Sequence, residues 1–480
     1  MSTKKTNEAF SSVVLIKEDE LLKSAVLILI SLLLSSCGVL YKGVQDGVSS
    51  LNQSQAIRQG RYGDLTEGEL EWARLAWVYV ENNTQLKTGL VNSIDNYPTT
   101  NMSGIADYLL ALTAAREFEF ITSKEHDERL SLVLTFLNEM PLSIGQIPNK
   151  VYSTQTGQMV DYGNQPNDIG WSSIDVGRLL IVLAIVKQYN PQFIEYIDKA
   201  VLKWNFCELV NEEGELFGGT VNNGNVTRYK EGRLGVEEYT SYGYLDWQIV
   251  PEKAMRLDPY NVANMYGIDF LFDGRDPRLF DILRPVYSTP YLRLGLEFNW
   301  DDIVDMDSSD ATHSNEVMSA MADSMYRIQE ARWDHERIYT ARGEHIVSGE
   351  PYFVYDAIYA LGTPWITLSE DGSSYDELAL VSTRVAFQMW ALWRTDYTDR
   401  LMVLVQELYD PDRGWYEGRY ELNSRYEKSI SLQTNAGVLE ALLYKARGKL
   451  YQPEKSKEYR DVQFKSRFSH PGHCLVETFR

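Results

Sequence analysis

From Thr66 onward, apolar residues recur along the chain at helical spacing. Ala73, Trp77 and Val80 form one stripe, and Thr66 with Glu69 three residues later is typical of a capping box. The same periodicity predicts further helices at 103–118, 124–139, 172–188, 191–204, 236–250, 262–271, 311–333, 352–361, 374–397, 399–408 and 431–446. Because no run of alternating strands separates these segments, the pattern predicts an all-α protein.

The predicted helices differ in how much of their surface is apolar. Residues 174–186 are almost continuously apolar, which is typical of a helix buried on all sides, whereas 431–446 begins with polar residues and continues with an apolar stripe. About twelve helices, some of them buried all round, favour a double ring with inner helices inside outer ones over a simple bundle. We therefore predict one domain over residues 66–455, followed by a C-terminal tail over 456–480.

The N-terminal segment is typical of exported proteins. Residues 24–34 form an apolar run of about eleven residues, which is too short to span a bilayer comfortably but fits a signal-peptide core. Residues 34–37, Leu-Ser-Ser-Cys, resemble the lipobox of bacterial lipoproteins. We predict that residues 1–37 are a signal ending at a lipidated Cys37 and that the Gly-, Ser- and Gln-containing residues 38–65 are a flexible tether. The protein would then be exported and lipid-anchored, at the periplasmic face or the surface of the outer membrane. The alternative is a short hydrophobic anchor with an incidental cysteine.

Charge and composition narrow the class of ligand. The chain has 68 acidic and 46 basic residues and a formal net charge of −22, so its surface repels phosphate backbones and nucleic acid is a poor partner. Such a surface suits a neutral substrate. The 31 Tyr and 11 Trp residues include many in polar, Gly-containing stretches, where rings can stack on sugars, although most aromatic residues of a protein belong to its core. Cys207 and Cys474 could pair in an oxidising compartment, and the sequence leaves that open.

No segment has the pattern of a phosphate loop, a dinucleotide turn or a nucleophile elbow. The cluster of His470, His473 and Cys474 lies in the polar tail, so we predict neither a metal nor a cofactor. By elimination, acid–base chemistry falls to carboxylates, as it does in glycoside hydrolysis.

Candidate carboxylates stand beside Gly and aromatic residues in three stretches. In 167–178, Asp168 and Trp171 precede the apolar helix, and Asp175 is either a capping-box residue of that helix or a ligand-binding acid. In 237–247, a helical spacing would place Glu238, Tyr242 and Asp246 on one face.

A carboxyl group among rings would have a raised pKa and stay protonated, as a general acid needs. The alternative for Glu238 is an exposed acid that caps the helix start. The third stretch, 412–421, has glycines around Trp415, Tyr416 and Glu417, and is either a ligand-binding segment or a hairpin packed on its neighbour. A fourth acidic stretch, 300–307, is most simply a solvated loop.

Several segments, in their order along the chain, resemble a bacterial domain family of unknown function that is linked to capsule biosynthesis. That family is similar to endo-β-1,2-glucanases and to the glucoamylase-like domains of cyclic β-1,2-glucan synthesis. The resemblance covers about residues 70 to 446, and its segments include 107–115 (DYLLALTAA), 170–175 (GWSSID), 351–355 (PYFVY), 413–418 (RGWYEG) and 433–436 (QTNA).

The resemblance implies an (α/α)6 toroid with a cleft across one end and inverting hydrolysis of β-1,2-glucan. It implies Glu238 as the general acid and Glu417 as the base, and it moves Asp175 toward substrate binding. Together with the aromatic stretches it predicts these substrate-binding residues: Asp168, Trp171, Asp175, Tyr239, Tyr242, Trp415 and Tyr416. A non-catalytic carbohydrate-binding or capsule-assembly lipoprotein on the same scaffold is the alternative function.

Overall fold

The computed structural model describes residues 60–275, 285–303, 305, 313–423 and 425–452. The predicted signal, its lipidated Cys37, nearly all of the tether and the C-terminal tail lie outside these residues. All described residues fall within one compact unit. In this part of the chain, no helix is both long and apolar enough to cross a membrane.

Six helices close a ring at the centre of the fold. Each packs against the next and the last packs against the first, in the order α2 (Met102–Glu117), α4 (Ser173–Tyr189), α6 (Val236–Asp246), α7 (Thr289–Phe298), α9 (Thr383–Leu392) and α11 (Leu432–Arg447). Helix α4 is buried along almost its whole length, as its continuous apolar run predicts. The six ring helices share burial along most of their length, including their polar residues.

Five further helices lie outside the ring in the described part of the chain. Helix α1 packs on α11, α3 and α5 pack on each other and on the inner α2 and α4, α8 packs on α7, and α10 packs on α9. Thr66 and Glu69 form the predicted capping box at the start of α1. The bounds of these helices are α1 (Glu67–Asn83), α3 (Ser123–Glu139), α5 (Ile194–Val201), α8 (Glu316–Glu336) and α10 (Asp396–Val405). The prediction of inner helices within outer ones is confirmed.

The all-α part of the prediction is wrong, because eighteen short strands connect the described helices. All are paired antiparallel, in two- or three-stranded sheets. The strands are β1 (Thr99–Thr100), β2 (Leu142–Ser143), β3 (Ile147–Pro148), β4 (Tyr152–Ser153), β5 (Phe217–Asn222), β6 (Asn225–Lys230), β7 (Tyr260–Met265), β8 (Ile268–Asp273), β9 (Glu344–Ile346), β10 (Phe353–Asp356), β11 (Tyr359–Ala360), β12 (Thr363–Pro364), β13 (Thr367–Leu368), β14 (Leu380–Ser382), β15 (Tyr409–Asp410), β16 (Gly414–Trp415), β17 (Gly418–Tyr420) and β18 (Tyr426–Glu427).

Two predicted helices are in fact strands. Residues 262–271 belong to the hairpin of β7 and β8, whose turn is Tyr266-Gly267, and both turn residues have positive φ. Two-residue hairpin turns of this kind match the twist of the flanking strands, so the turn overrides the apolar spacing. Residues 352–361 instead supply β10 and β11. The third stretch, 412–421, contains β16 and β17, which do not pair with each other: β16 pairs with β15, and β17 pairs with β14 and β18.

Candidate active site at the mouth of the ring

The first turns of the inner helices meet at one end of the ring. Ser103 at the start of α2 donates a hydrogen bond of 2.7 Å to Asp175 at the start of α4. On the far side, Arg384 at the start of α9 donates to the Thr289 hydroxyl at the start of α7, at 3.3 Å. These contacts define a mouth at the N-terminal end of the inner helices.

Asp175 lies at this mouth, and the residue is half-buried. Its backbone N–H donates to the Ser172 side chain, so the capping position expected from the sequence is real. Its carboxylate accepts from Ser103 and, at 3.4 Å, from the Asn101 amide. Burial raises the pKa of Asp175 to about 6, against the effect of the Ser103 hydrogen bond, and the charge of Glu231 raises it further. Asp175 can therefore carry a proton near neutral pH.

Glu231 reaches the start of α4 from the end of the β5–β6 hairpin. Its carboxylate accepts from the Ser173 backbone at 2.5 Å, from the Ser173 hydroxyl at 2.8 Å and from the Ile174 backbone at 3.4 Å. The N-terminus of a helix favours a negative charge at this place. The side chain of Glu231 therefore places a second carboxyl group next to Asp175.

Glu344, at the start of β9, occupies the opposite side of the mouth. It accepts from Thr289 of α7 at 2.6 Å and from Gln433 of α11 at 2.7 Å, and Arg384 of α9 lies 3.1 Å away. Although burial favours the neutral form, Arg384 and Arg293 outweigh it and lower the pKa of Glu344. The starts of the inner helices thus hold one carboxyl group with a lowered pKa, Glu344, and one with a raised pKa, Asp175.

Arg293, in the second turn of α7, links the two sides. Its positive charge acts on both Asp175 and Glu344, and its guanidinium lies 3.3 Å from Asp107 of α2. Since Asp175 lies among α2 and α4 and Glu344 among α7, α9 and α11, the two carboxyl groups belong to opposite halves of the ring. The positive charge of Arg293 therefore lies close enough to act on both carboxyl groups.

The rim of the mouth carries aromatic and charged side chains. Arg233 stacks on the rings of Tyr287 and Tyr355, with its Cζ atom 5.2 and 5.0 Å from their centroids. Lys150, Tyr162 and Tyr229 each interact electrostatically with Asp175, Glu231 and Glu370. Three carboxylates from separate segments therefore converge on one patch of the mouth.

The predicted acid, Glu238, has the predicted raised pKa but a different setting. Burial raises its pKa to about 8, and the charge of Glu237 adds to the effect. However, only 6% of the residue is exposed, and its carboxyl group accepts a 2.5 Å hydrogen bond from the Gly235 backbone at the start of its own helix. The capping interpretation of Glu238 therefore agrees with the structure, although the residue is buried rather than exposed.

The predicted base, Glu417, lies between β16 and β17 and contacts Ser431 at the start of α11. It is almost fully buried and accepts from the Ser431 hydroxyl, while His345 and Arg384 are its charged neighbours. Arg384 is also the partner of Glu344. Glu417 is therefore enclosed among the starts of the inner helices, with 1% of the residue exposed.

Most of the predicted sugar-binding residues have structural partners instead. Asp168 accepts from the Ser143 hydroxyl and from the backbones of Ile144 and Gly170, which closes a loop. Four of the predicted rings are buried in the core, so they cannot stack on a sugar and instead support the walls: Trp171, Tyr239, Tyr242 and Trp415. Tyr416 is half-buried, with Lys428 5.9 Å from its ring centroid.

Sequence reasoning missed Glu231, Tyr229 and Glu344. A usable signal existed for the first two, because Asn223-Gly224 between two strand-like runs is a strong indication of a hairpin. Glu344 is placed by tertiary contacts with three helices, for which the local sequence has no signal.

The described residues contain no group of three or more His, Cys, Asp or Glu side chains that could hold a metal ion. Cys207 is disulfide-bonded, and both other cysteines lie outside the described residues. Pairing of Cys207 with Cys474, which the sequence leaves open, stays a hypothesis.

Comparison with known proteins identifies both the family and the fold. A family model described as a protein of unknown function, DUF3131, matches residues 71–448, which confirms the resemblance found in the sequence. No curated protein matches the chain in sequence.

Solved structures that resemble this chain include two endo-β-1,2-glucanases. The enzyme from Chitinophaga pinensis, in complex with sophorotriose and glucose, has 13% identity and a TM-score of 0.54 over 81% of this chain and 95% of its own. The enzyme from Talaromyces funiculosus, in complex with sophorose, has 12% identity and a TM-score of 0.53 over 82% and 87%. A candidate glucoamylase from Bacteroides fragilis has 13% identity and a TM-score of 0.54 over 85% and 95%. At these identities the likeness shows a shared fold.

Proposed function

We propose that this chain, which belongs to the DUF3131 family of proteins of unknown function, is a glycoside hydrolase that cleaves β-1,2-glucan internally with inversion. The observation that carries the proposal is the pair of carboxyl groups at the mouth, Asp175 with a raised pKa and Glu344 with a lowered one. When their surroundings raise the pKa of one carboxyl group and lower that of another, the first can act as the acid and the second as the base of such reactions. The fold shared with endo-β-1,2-glucanases supports the substrate assignment.

The proposed mechanism gives each carboxyl group one proton transfer. Protonated Asp175 donates its proton to the glycosidic oxygen as the bond from that oxygen to the anomeric carbon breaks. A water molecule adds to the anomeric carbon from the opposite face, and its proton passes to Glu344 directly or through a substrate hydroxyl. Inverting enzymes hold the two groups about 6.5–9.5 Å apart, or farther when a hydroxyl relays the proton.

This assignment replaces the pair Glu238 and Glu417 for a physical reason. A general acid must come within hydrogen-bond reach of the glycosidic oxygen, and Asp175 is half-buried whereas Glu238 and Glu417 are only 6% and 1% exposed. Glu344, at 8%, is buried as well, and its lowered pKa is what favours it as the base. Asp175 was expected to bind substrate, and its partly exposed position and pKa suit proton donation as well.

The test is hydrolysis of linear β-1,2-glucan by the purified chain, followed as new reducing ends. We expect Asp175→Asn to lower the rate by at least about a hundredfold, the usual share of a general acid. Proton NMR of the first products should show the α-anomer, because inversion converts a β linkage. If wild type binds the glucan but releases no reducing ends, the non-catalytic carbohydrate-binding function replaces this one. If Glu238→Gln loses the activity and Asp175→Asn keeps it, the acid is Glu238.

A further inference from the structure

Tyr162 projects from the loop that follows β4, next to the mouth. It exposes 73% of its surface, which is unusual for a tyrosine in a folded protein. Yet surrounding protein desolvates its hydroxyl and, together with the charges of Asp175 and Glu370, raises its pKa. The ring of Tyr162 is therefore open to a ligand that arrives from solvent.

The loop that carries Tyr162 is held in place without a ligand. The Tyr97 hydroxyl donates to the Tyr162 carbonyl at 2.7 Å. The Asp161 carboxylate accepts from the backbones of Gly163 and Gln165, each at 2.9 Å, which fixes the turn. Such preorganisation lowers the entropy lost when a ring binds a ligand.

Tyr229 supplies a second ring from the β5–β6 hairpin. It pairs with Gly218 across the hairpin, and a Cβ atom on Gly218 would lie only 2.7 Å from the tyrosine Cζ atom, so the ring rests on the glycine backbone. Lys150 lies 5.4 Å from the centroid of this ring. The segment before Tyr162 lies beside Lys150, because the Val160 backbone donates to the Val151 carbonyl at 3.1 Å.

We propose that Tyr162, Tyr229 and Lys150 form a sugar-binding platform at the rim of the mouth, where a neutral glycan stacks on the two rings. The platform deepens the proposed function, on which it rests, by naming a binding subsite outside the two reacting carboxyl groups. Lys150 and Glu370 are the charged side chains that donate to and accept from sugar hydroxyls there.

The charges of the patch select the class of glycan. Lys150 is opposed by the carboxylates of Glu231 and Glu370 and, when it is ionised, by that of Asp175. The resulting negative field repels uronic acids and phosphate-substituted sugars and leaves uncharged glycans as the occupants. Ring stacking on the apolar face of a sugar is insensitive to this field.

The test is glycan binding by the full chain, measured by calorimetry with linear β-1,2-glucan and on an array of neutral and uronic-acid oligosaccharides. We expect Tyr162→Ala to weaken binding by at least about tenfold, and Tyr162→Phe to retain most of it because the ring remains. Tyr196→Ala, on the outer helix α5, removes another exposed tyrosine, 60% against 73% for Tyr162, and should leave binding unchanged. Lys150→Met should reduce binding and leave the preference for neutral glycans intact.

The outcomes separate the platform from the proposed catalysis. Full binding by Tyr162→Ala overturns the platform whether or not the chain hydrolyses glucan. No binding of any neutral glycan by wild type, or a preference for uronic-acid oligosaccharides, overturns it as well. Binding that depends on Tyr162 without release of reducing ends supports the platform and sinks the hydrolase proposal alone.

Discussion

Ser103 and Asp175 are joined across two neighbouring inner helices by a hydrogen bond of 2.7 Å, with the serine hydroxyl as donor. Burial of the carboxyl group favours its neutral form, whereas the hydroxyl favours its anion. The balance sets the pKa of Asp175 at about 6. The Ser103 hydroxyl therefore keeps the pKa of Asp175 below the value that burial alone would give.

Ser103→Ala should raise the pKa of Asp175, because the anion loses a donor while burial is unchanged. If protonated Asp175 is the acid, the rate falls as pH rises through its pKa, so the alkaline limb of the kcat/KM profile should move to higher pH. Ser103→Thr keeps the hydroxyl and should keep the wild-type profile. An unchanged alkaline limb in the alanine variant would show that another group sets it.

Glu238→Gln should leave hydrolysis within a few-fold of wild type and change how stability depends on pH. The folded-state pKa of Glu238 is about 8, above its ordinary value of 4.5, so the folded chain favours the proton. The wild type therefore loses stability progressively as pH rises from about 4.5 to 8. The glutamine variant cannot ionise, so its melting temperature should fall less between pH 5 and 9 when the two proteins are compared by calorimetry. Equal changes in melting temperature with pH for the two proteins would contradict the buried, protonated state of Glu238.

The sequence predicts the ring better than it predicts the mouth. Helix α4 is recognisable because an apolar run such as 174–186 has one physical solution in a soluble protein, burial on all sides. Asp175 could be named from the sequence because it stands at the start of this recognisable helix. Glu344 could not be predicted, because its partners Thr289, Arg384 and Gln433 come from three distant helices.

Aromatic residues misled the prediction in a consistent way. Trp171 and Trp415 stand beside glycines, which suggested close approach of a ligand. In the structure a glycine from another segment makes room for the Trp171 ring: a Cβ atom on Gly219 would lie 2.5 Å from its indole, whereas the neighbouring Gly170 and Gly414 approach Gly219 and Asn435. Local sequence cannot distinguish a ring that a glycine accommodates from a ring that a sugar covers.

Gly219→Ala should therefore destabilise the fold by about 1–3 kcal/mol, as overpacking of a core usually does. The Trp171 ring cannot move away easily, because it is fully buried and its Nε1 donates to the Glu208 carbonyl at 3.0 Å. Thermal or urea unfolding measures the change. Gly224→Asn is the control, because the turn position has positive φ, which asparagine tolerates, and nothing lies within 4 Å. Equal stability of both variants would contradict this packing.

Cys37→Ser tests the proposed lipid anchor, which lies outside the described residues. A serine cannot form the thioether that carries the lipid, so we expect an unprocessed or soluble exported form in place of a membrane-bound one. Fractionation of cells that express the full chain, with the apparent mass of the product, measures both effects. Unchanged partition into membranes and unchanged processing would show that the segment is an ordinary hydrophobic anchor.

Arg178→Met should be the most destabilising of these changes. Arg178 lies inside the ring, 1% exposed, where its guanidinium donates to Tyr239 at 2.6 Å, to Asp107 at 3.1 Å and to Glu297. Methionine would leave buried carboxylates without their cation, and such a change costs about 3–5 kcal/mol.

The loss should depend on pH with a defined sign. Without the cation, the folded-state pKa values of these acids rise, so the folded variant binds more protons than the unfolded chain and becomes less stable as pH increases. The gap in melting temperature between Arg178→Met and wild type should therefore be wider at pH 8 than at pH 5. Arg178→Lys keeps a positive charge and should recover part of the stability, while Arg447→Met removes an exposed partner of Glu117 and should cost less than about 1 kcal/mol. A gap that stays constant with pH would mean that lost packing, and not the uncompensated charge, accounts for the effect of Arg178→Met.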